Sequence, residues 1–217
     1  MSCCQRVVMC SLLAALTSWL LIPANTRASE EDGFVPLFNG RDLTGWTGDT
    51  KLWIVEDGML IGRSAGIDYN DFLTTEKTYQ NFILRFQVRL VDGKGNSGVQ
   101  FRSKPVPPPS HEVSGYQADI SNGWWGKLYD ESRRRRVLAG PEPGVIARIV
   151  KPTDWNDYEV RAVGNHIRLS INGTVTVDYT EEDPAIPRDG IIATQIHSGG
   201  PMEVQFRKIQ IKELKAE

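Results

Sequence analysis

The chain contains little cysteine and little histidine, which excludes several classes of chemistry. Its three cysteines all lie within the first ten residues, and three histidines are scattered over 217 residues. That spacing offers no zinc site of the usual kind, and no glycine-rich loop opens a helix, so no nucleotide site is predicted. No cofactor is therefore expected, although a calcium ion bound by a loop remains an open alternative.

The chain has one long apolar run, and it is N-terminal. Arg6 precedes the apolar stretch from Val7 to Ile22, and the segment that follows ends with Thr26 and Ala28 at plausible cleavage positions. This pattern is typical of a secretory signal peptide covering residues 1–28. We therefore expect an exported protein, periplasmic or extracellular, with no stable membrane insertion after cleavage.

Two other interpretations of this segment are weaker. An uncleaved membrane anchor would need a longer apolar stretch, and Thr17 and Ser18 interrupt this one. A lipoprotein would need its cysteine after the apolar region, whereas Cys10 lies near its start.

The remaining residues 29–217 lack cysteine, repeats and a strong charge of either sign. The full chain has 25 basic and 27 acidic residues, and the predicted leader removes two arginines and no acid, which leaves a net charge of −4. Such a balance argues against a nucleic-acid partner. A chain of this length without disulfides can bury enough surface for one stable domain.

No long helical period occurs in this part, whereas strand periods are frequent. From Phe82 to Leu90 apolar and polar residues alternate, and the C-terminal run is out of phase unless a bulge lies near Arg207 and Lys208. Turn dipeptides separate the runs: Asn39-Gly40, Asp57-Gly58, Asp92-Gly93, Asn122-Gly123, Asn172-Gly173 and Asp189-Gly190. These features predict an all-β fold, an antiparallel β-sandwich or jelly roll.

Three of the predicted strands carry polar side chains at every second position. The polar members are Gln100 and Arg102, then Gln117 and Asp119, and finally Gln195 and His197. Because successive strand side chains point to opposite faces, each run offers one apolar and one polar face. If the runs are neighbours, their polar face suits a polyhydroxylated ligand.

Several separated motifs, in order, resemble one known family. They are FVPLFNGRDLTGW (34–46), WIVEDGMLIG (53–62), GNSGVQFR (95–102), GYQADI (115–120), WWGKLYDES (124–132), WNDYEVRAVGNHIRLSING (155–173) and QIHSGG (195–200). Over residues 34–214 the chain resembles the 3-keto-disaccharide hydrolase domain family.

This resemblance implies a concanavalin-like jelly roll of the lectin and glucanase type, and an activity. The implied activity is cleavage of glycosides whose sugar carries a ketone at C3, by elimination followed by hydration. Such a site needs a base near C2, an acid near the leaving oxygen and donors for the developing enolate. The implied partner is an oxidised (3-keto) glycoside or glycan.

With the resemblance in view, three residues are predicted as catalytic: His197, Asp119 and Glu131. His197 could move a proton near pH 7, or it could be a partly buried histidine bonded to a loop carbonyl. Asp119 could be the base, an anchor for hydroxyls, or the partner of a nearby arginine. Glu131 could be the second acid/base group.

A larger set is predicted to bind the substrate. It contains Gln100, Arg102, Tyr116, Gln117, Trp124, Trp125, Tyr129, Arg133 and Gln195. Aromatic rings pack on sugar faces, but a tryptophan pair covering a sheet edge is an equal alternative. The basic run from Arg133 to Arg136 is more often a solvated loop than a binding surface.

Two functions of other classes remain open. A non-catalytic, lectin-like carbohydrate-binding module would use the same amides and aromatics without an acid/base pair, since fold does not dictate function. An extracellular adhesion domain with no sugar affinity is a weaker third alternative.

Overall fold

A computed structural model describes residues 33–215 as fifteen β-strands with short connections. The strands are β1 (Val35–Pro36), β2 (Trp46–Thr47), β3 (Trp53–Glu56), β4 (Met59–Ser64), β5 (Asp71–Thr75), β6 (Phe82–Leu90), β7 (Asn96–Pro105), β8 (Val113–Ser121), β9 (Leu128–Glu131), β10 (Arg136–Ala139), β11 (Asn156–Val163), β12 (His166–Ile171), β13 (Thr174–Thr180), β14 (Ile191–Ile196) and β15 (Met202–Glu213). A 3₁₀ turn (Val91–Gly93) and a short helix, α1 (Val145–Ile149), lie between them. The predicted leader lies outside the described residues.

The strands form two antiparallel sheets. The first sheet has the order β13-β12-β11-β6-β15-β4-β3, with β1 added beside β15. The second sheet has the order β10-β9-β8-β7-β14-β5-β2. The predicted all-β sandwich of antiparallel strands is confirmed, and sequential neighbours such as β7 and β8 pair directly.

The core lies between the sheets and follows the predicted alternation. In β6 the apolar residues Phe82, Leu84, Phe86, Val88 and Leu90 are all buried, and their polar neighbours face outward. Large side chains from both sheets fill the layer, including Trp53, Phe101, Tyr116, Tyr158 and Phe206. Burying each such side chain contributes about 1.5–3 kcal/mol.

The predicted bulge in the last strand is confirmed. The pairing of β15 with β6 steps from Arg207 opposite Gln87 to Gln210 opposite Arg85, and Lys208 has a φ of 51°. One extra residue therefore restores the phase, and Ile209 is buried like the apolar residues before it.

Two of the predicted turns close hairpins with left-handed backbone. Asp57 and Gly58 have φ values of 49° and 75° between β3 and β4. Asn172 and Gly173 have values of 49° and 80° between β12 and β13. Paired positive φ values match the twist of the flanking strands. Within residues 33–215 no helix is long and apolar enough to cross a membrane.

Candidate functional site

Neighbouring strands of the second sheet bring polar side chains together on its outer face, away from the core. Gln117 on β8 lies opposite Gln100 on β7 and Tyr129 on β9. His197, just beyond β14, donates its backbone N–H to Asn96 at the start of β7. A pocket of about 240 Å³ opens there and is lined by Asn96, Gln117, Asp119, Trp124, Tyr129, Glu131 and His197.

Asp119 lies at the floor of this pocket with 3% of its surface exposed. One carboxylate oxygen, Oδ1, accepts a 2.5 Å hydrogen bond from Gln117, whose own oxygen accepts one of 2.6 Å from Gln100. The second oxygen, Oδ2, has no hydrogen-bond partner among the described residues. Oδ2 can therefore form a hydrogen bond with a polar ligand.

The pKa of Asp119 is raised to about 7. Burial is the main cause, the negative charge of Glu131 adds to it, and Gln117 and Lys127 act in the opposite direction. Near neutral pH the carboxyl group therefore exchanges its proton readily, as an acid/base or hydrogen-bonding group in a reaction requires.

The Asp119 network depends on a glycine in the neighbouring strand. Gly98 lies opposite Asp119, and a Cβ atom added there would lie 2.6 Å from Cδ of Gln117. The missing side chain leaves room for the Gln117 amide to lie over Gly98, where it bonds to both Gln100 and Asp119.

His197 has a defined tautomer. Its Nδ1 lies 2.8 Å from the carbonyl oxygen of Ser198. Because a carbonyl oxygen only accepts, Nδ1 carries the proton, and Nε2 of the neutral ring keeps its lone pair. This nitrogen can accept a proton from a ligand, and the loop-carbonyl bond and the proton-transfer role are compatible.

Glu131, at the end of β9, is the second carboxylate of the pocket. It accepts a 3.1 Å bond from the backbone N–H of Ser132. Burial raises its pKa and the charge of Glu112 raises it further, whereas the Ser132 bond, His197 and Arg135 lower it. Glu131 thus keeps its proton to a higher pH than an exposed glutamate.

The aromatic wall of the pocket consists of Trp124 and Tyr129. Their rings meet edge to face with centroids 5.9 Å apart, and the amine of Lys127 lies 4.4 Å from the Trp124 centroid. Trp124 is 41% exposed, so part of its ring is open to solvent beside these two contacts.

The structure places Arg102 outside the pocket, contrary to the alternation with Gln100. The pairing of β7 with β8 shifts after Phe101, and Arg102 has a φ of 48°. Its guanidinium bonds to the carbonyls of Gln80 and Gly164 and to the Asn81 side chain. The bulge turns this side chain away from the pocket, and the predicted role of Arg102 in substrate binding stays a prediction that the pocket lining does not support.

Three further predicted binding residues also lie elsewhere. Tyr116 is on the core face of β8, where its hydroxyl donates a 2.7 Å bond to Glu181. Arg133 bonds to buried Asp130 at 2.9 Å and lies over the Tyr116 ring. Trp125 is 3% exposed and belongs to the core. These residues stabilise the sandwich and do not line the pocket, and their predicted roles in substrate binding stay predictions that the pocket lining does not support.

Gln100 and Gln195 lie on the outer face but are fully buried there. Both polar atoms of the Gln195 side chain, and the Gln100 oxygen, have no partner among the described residues. Buried polar groups in that state cost about 1–3 kcal/mol each. They lie beside the pocket lining, and their predicted roles in sugar binding stay predictions.

Sequence reasoning missed Asn96, Asn70 and Glu112. Asn96 could have been found, because it precedes Gly98 and Gln100 at strand spacing. Asn70 and Glu112 lie in connections between strands, and the 3.1 Å bond between them joins positions 42 residues apart. No local pattern indicates such a contact.

The fold and the pocket define a class of protein: a two-sheet, lectin-like sandwich with carboxylates and a histidine gathered on one outer face. Residues 33–212 match the family described as the 3-keto-alpha-glucoside-1,2-lyase-like domain. The chain belongs to this family, as the sequence motifs predicted. No relative of curated function matches the sequence significantly.

Three solved structures show the same fold at low identity. A Parabacteroides distasonis protein provisionally described as a glycosyl hydrolase has a TM-score of 0.66 and 22% identity, with 88% of this chain and 98% of that one covered. A Bacillus subtilis protein of unknown function with a galectin-like fold has a TM-score of 0.63 and 14% identity (85% and 96% covered). The B. subtilis carbohydrate-binding module CBM66 has 0.60 and 16% (78% and 96% covered).

Proposed function

We propose that the protein is a carbohydrate-active enzyme that cleaves 3-keto-glycosides by elimination and then hydration. One observation carries the proposal: in a chain of this family, His197, Glu131 and Asp119 line one pocket. The substrate class rests on the family description. The leader-like N-terminus supports a place of action outside the cytoplasm.

The chemistry follows from the ketone. A C3 carbonyl acidifies the hydrogen on C2, so a base can remove that proton. The electrons of the C2–H bond form a C1=C2 double bond, and the C1–O bond breaks toward the aglycone oxygen, which takes a proton. Water then adds its oxygen to C1 and a proton to C2, and the net result is hydrolysis.

His197 is the proposed base. When the ring is neutral and Nδ1 donates to the Ser198 carbonyl, Nε2 carries the lone pair. A neutral imidazole is suited to proton transfer near pH 7. Its position beside Asn96, at the end of β14, places it at the rim of the pocket.

Glu131 is the proposed acid and Asp119 the proposed anchor. Burial and the charge of Glu112 raise the pKa of Glu131, which favours protonation more than in an exposed glutamate, as a proton donor to the leaving oxygen requires. Asp119, deeper and bonded to Gln117, is placed to hydrogen-bond a sugar oxygen at the floor and to stabilise charge on it.

The size and the wall of the pocket support a single bound sugar ring. At about 240 Å³ the pocket lies below the roughly 300–1,000 Å³ of typical ligand clefts. One ring would fill it, with one face against Trp124 and the aglycone outside. This arrangement predicts tolerance toward different aglycones.

The test compares a 3-keto-glucoside with its unoxidised parent, each carrying the same chromogenic aglycone. We expect the purified protein to release the aglycone from the keto-sugar alone. Release from both would instead indicate ordinary hydrolysis by a carboxylate pair. Release from neither would contradict the proposal.

A non-catalytic carbohydrate-binding module is the second candidate. The likeness to CBM66 and the exposed Trp124 face favour it. It predicts that unoxidised glycans bind, that Trp124→Ala abolishes this binding, and that no keto-sugar is turned over. Calorimetric titration with glycans, alongside the release assay, separates the two functions.

A further inference from the structure

Glu112 connects two segments that carry acid/base groups of the pocket. It lies in the connection between β7 and β8, immediately before β8, and is half-buried. Its Oε1 accepts a 3.1 Å bond from Nδ2 of Asn70, and its Oε2 accepts one of 3.1 Å from Oγ of Ser132. Each carboxylate oxygen thus holds a different loop.

On one side the connections lead to His197. The Asn70 side-chain oxygen accepts a 2.8 Å bond from the N–H of Ser198, and the Ser198 carbonyl accepts the bond from Nδ1 of His197. A carboxylate only accepts, so Glu112 forces the NH₂ group of Asn70 toward itself and the oxygen toward Ser198. The Asn70 amide therefore holds Ser198 through its N–H, and the carbonyl of the same residue, in the next peptide unit, bonds to Nδ1 of His197.

On the other side the connections lead to Glu131. Ser132 has a φ of 50°, and its N–H donates to Glu131 while its hydroxyl donates to Glu112. A residue in the left-handed region is held there by its surroundings. Glu112 supplies one of these restraints and so fixes the turn that follows Glu131.

We propose that Glu112 is a positioning residue, which orients the Asn70 amide behind His197 and holds the Ser132 turn behind Glu131. Its effect on catalysis rests on the function proposed above, whereas its effect on the two side chains does not. Glu112 does not line the pocket and need not contact the substrate.

The charge of Glu112 has a separate consequence for Glu131. Charged and titratable groups act on Glu131 from several elements: Glu112 from the β7–β8 connection, His197 from the end of β14, Arg135 beyond β9, and Asp119 and Tyr129 on β8 and β9. Apart from burial, Glu112 is the first cause that raises the Glu131 pKa. Removing its charge should lower this pKa.

Two variants separate the geometry from the charge. Glu112→Gln keeps an oxygen for Asn70, and its NH₂ group can donate to the Ser132 hydroxyl, so the geometry stays and the charge goes. Glu112→Ala removes both. The matched control is Glu76→Gln. Glu76 is an exposed glutamate directly after β5, whereas Asn70 directly precedes that strand.

The measurements are pH profiles of kcat and KM for the keto-sugar. We expect Glu112→Ala to lose about 10- to 100-fold in kcat, as small misplacements of reacting groups do. Glu112→Gln should retain kcat within about threefold, as a variant that keeps the reacting groups in place, and move the limb assigned to protonated Glu131 to lower pH. Glu76→Gln should match the native protein.

A readout without substrate distinguishes failure of this inference from failure of the proposed function. Nitrogen-15 NMR reports the His197 tautomer, with His166 as an internal reference, and carbon-13 NMR titrates Glu131. Supporting results are loss of the Nδ1-protonated form in Glu112→Ala and a lower Glu131 pKa in Glu112→Gln. An unchanged His197 tautomer in Glu112→Ala would overturn the positioning role, whatever the activity, and an unchanged Glu131 titration in Glu112→Gln would contradict the charge effect.

Discussion

The outer faces of the two sheets differ in how their polar groups are satisfied. On the first sheet Arg85 bonds to Glu159 at 2.7 Å and Gln87 to Asp157 at 2.8 Å, in exposed cross-strand pairs. On the second sheet Asp119 and Gln195 are buried with polar atoms that lack partners among the described residues. The polar groups in these pairs on the first sheet are hydrogen-bonded to each other and exposed to solvent, whereas those on the second sheet are buried and lack some of their hydrogen-bond partners.

The outer face of the first sheet also contains a hollow. It measures about 400 Å³, more than the 240 Å³ pocket of the second sheet, and the same Arg85, Gln87, Asp157 and Glu159 line it. Its arginine and both of its carboxylates already have partners, Arg85 with Glu159 and Asp157 with Gln87. Size therefore does not identify the site; uncompensated, desolvated acid/base groups do.

The largest expected effect separates a histidine on each face. His197→Ala should lower kcat/KM for a 3-keto-glucoside by about 10²- to 10⁴-fold, because general-base catalysis is lost. His166→Ala, which removes a surface pair with Asp178 on the first sheet, should leave it unchanged. Steady-state kinetics with thermal melting of both variants make the comparison. Equal activity of the two variants would contradict the placement of the active site on the outer face of the second sheet.

The next prediction concerns the sign of the pH dependence of stability. The folded-state pKa of Asp119, about 7, lies above its ordinary value of 3.8. The raised pKa therefore contributes fully to the free energy of unfolding below pH 3.8. This contribution, up to about 4 kcal/mol, is lost as the pH rises to about 7. Asp119→Asn should flatten the fall in unfolding free energy between these pH values, measured by urea denaturation.

The matched aspartate on the first sheet should act in the opposite direction. Hydrogen bonds from His166 and Arg168 lower the pKa of Asp178. Its small contribution is thus present above its unfolded pKa and is lost as the pH falls. If Asp178→Asn and Asp119→Asn changed the pH profile with the same sign, the electrostatic contrast between the faces would be wrong.

A smaller effect is expected from two glycines. Gly98→Ala should displace Gln117 and cost about tenfold in kcat/KM, the equivalent of one hydrogen bond. Gly62→Ala on the first sheet would bring a Cβ to 2.7 Å from the Trp53 ring, and should cost about 1–3 kcal/mol of stability. Its kcat/KM per folded molecule should not change. If Gly62→Ala lowered kcat/KM and Gly98→Ala did not, the assignment of the pocket would be contradicted.

The smallest effect belongs to the paired surface of the first sheet. A double-mutant cycle on Arg85 and Glu159 should give a coupling of about 0.2–1 kcal/mol, because both side chains are substantially exposed. Activity should be the same throughout the cycle. A coupling of several kcal/mol would mean that this face is less solvated than its geometry indicates.

The sequence predicted the fold and half of the pocket because alternation is a local signal. It placed Gln117, Asp119 and His197 on polar strand faces, and it located the bulge in β15 because an apolar phase slips there. The bulge in β7 leaves no such mark, since Gln100, Phe101 and Arg102 alternate regularly in sequence. The direction of Arg102 is set by its left-handed backbone, and no residue pattern reveals that.

Neighbouring residues and long-range contacts account for the other differences. Trp124 and Trp125 are adjacent, and the turn that contains them sends one outward and the other into the core. Glu112 becomes important only because the fold brings Asn70 and Ser132 to its two oxygens. Such contacts arise from the packing of connections, for which the sequence offers no period.

The most direct test of the pocket's chemistry is turnover of a 3-keto-glucoside in D₂O, with NMR of the released sugar at early times. Elimination and hydration by the native protein should place deuterium at C2, faster than the free 3-keto-sugar exchanges on its own. His197→Ala should lose release and exchange together. Released sugar that keeps all of its hydrogen at C2 would contradict the account, in which the C2 hydrogen leaves and is replaced from groups that exchange with the solvent.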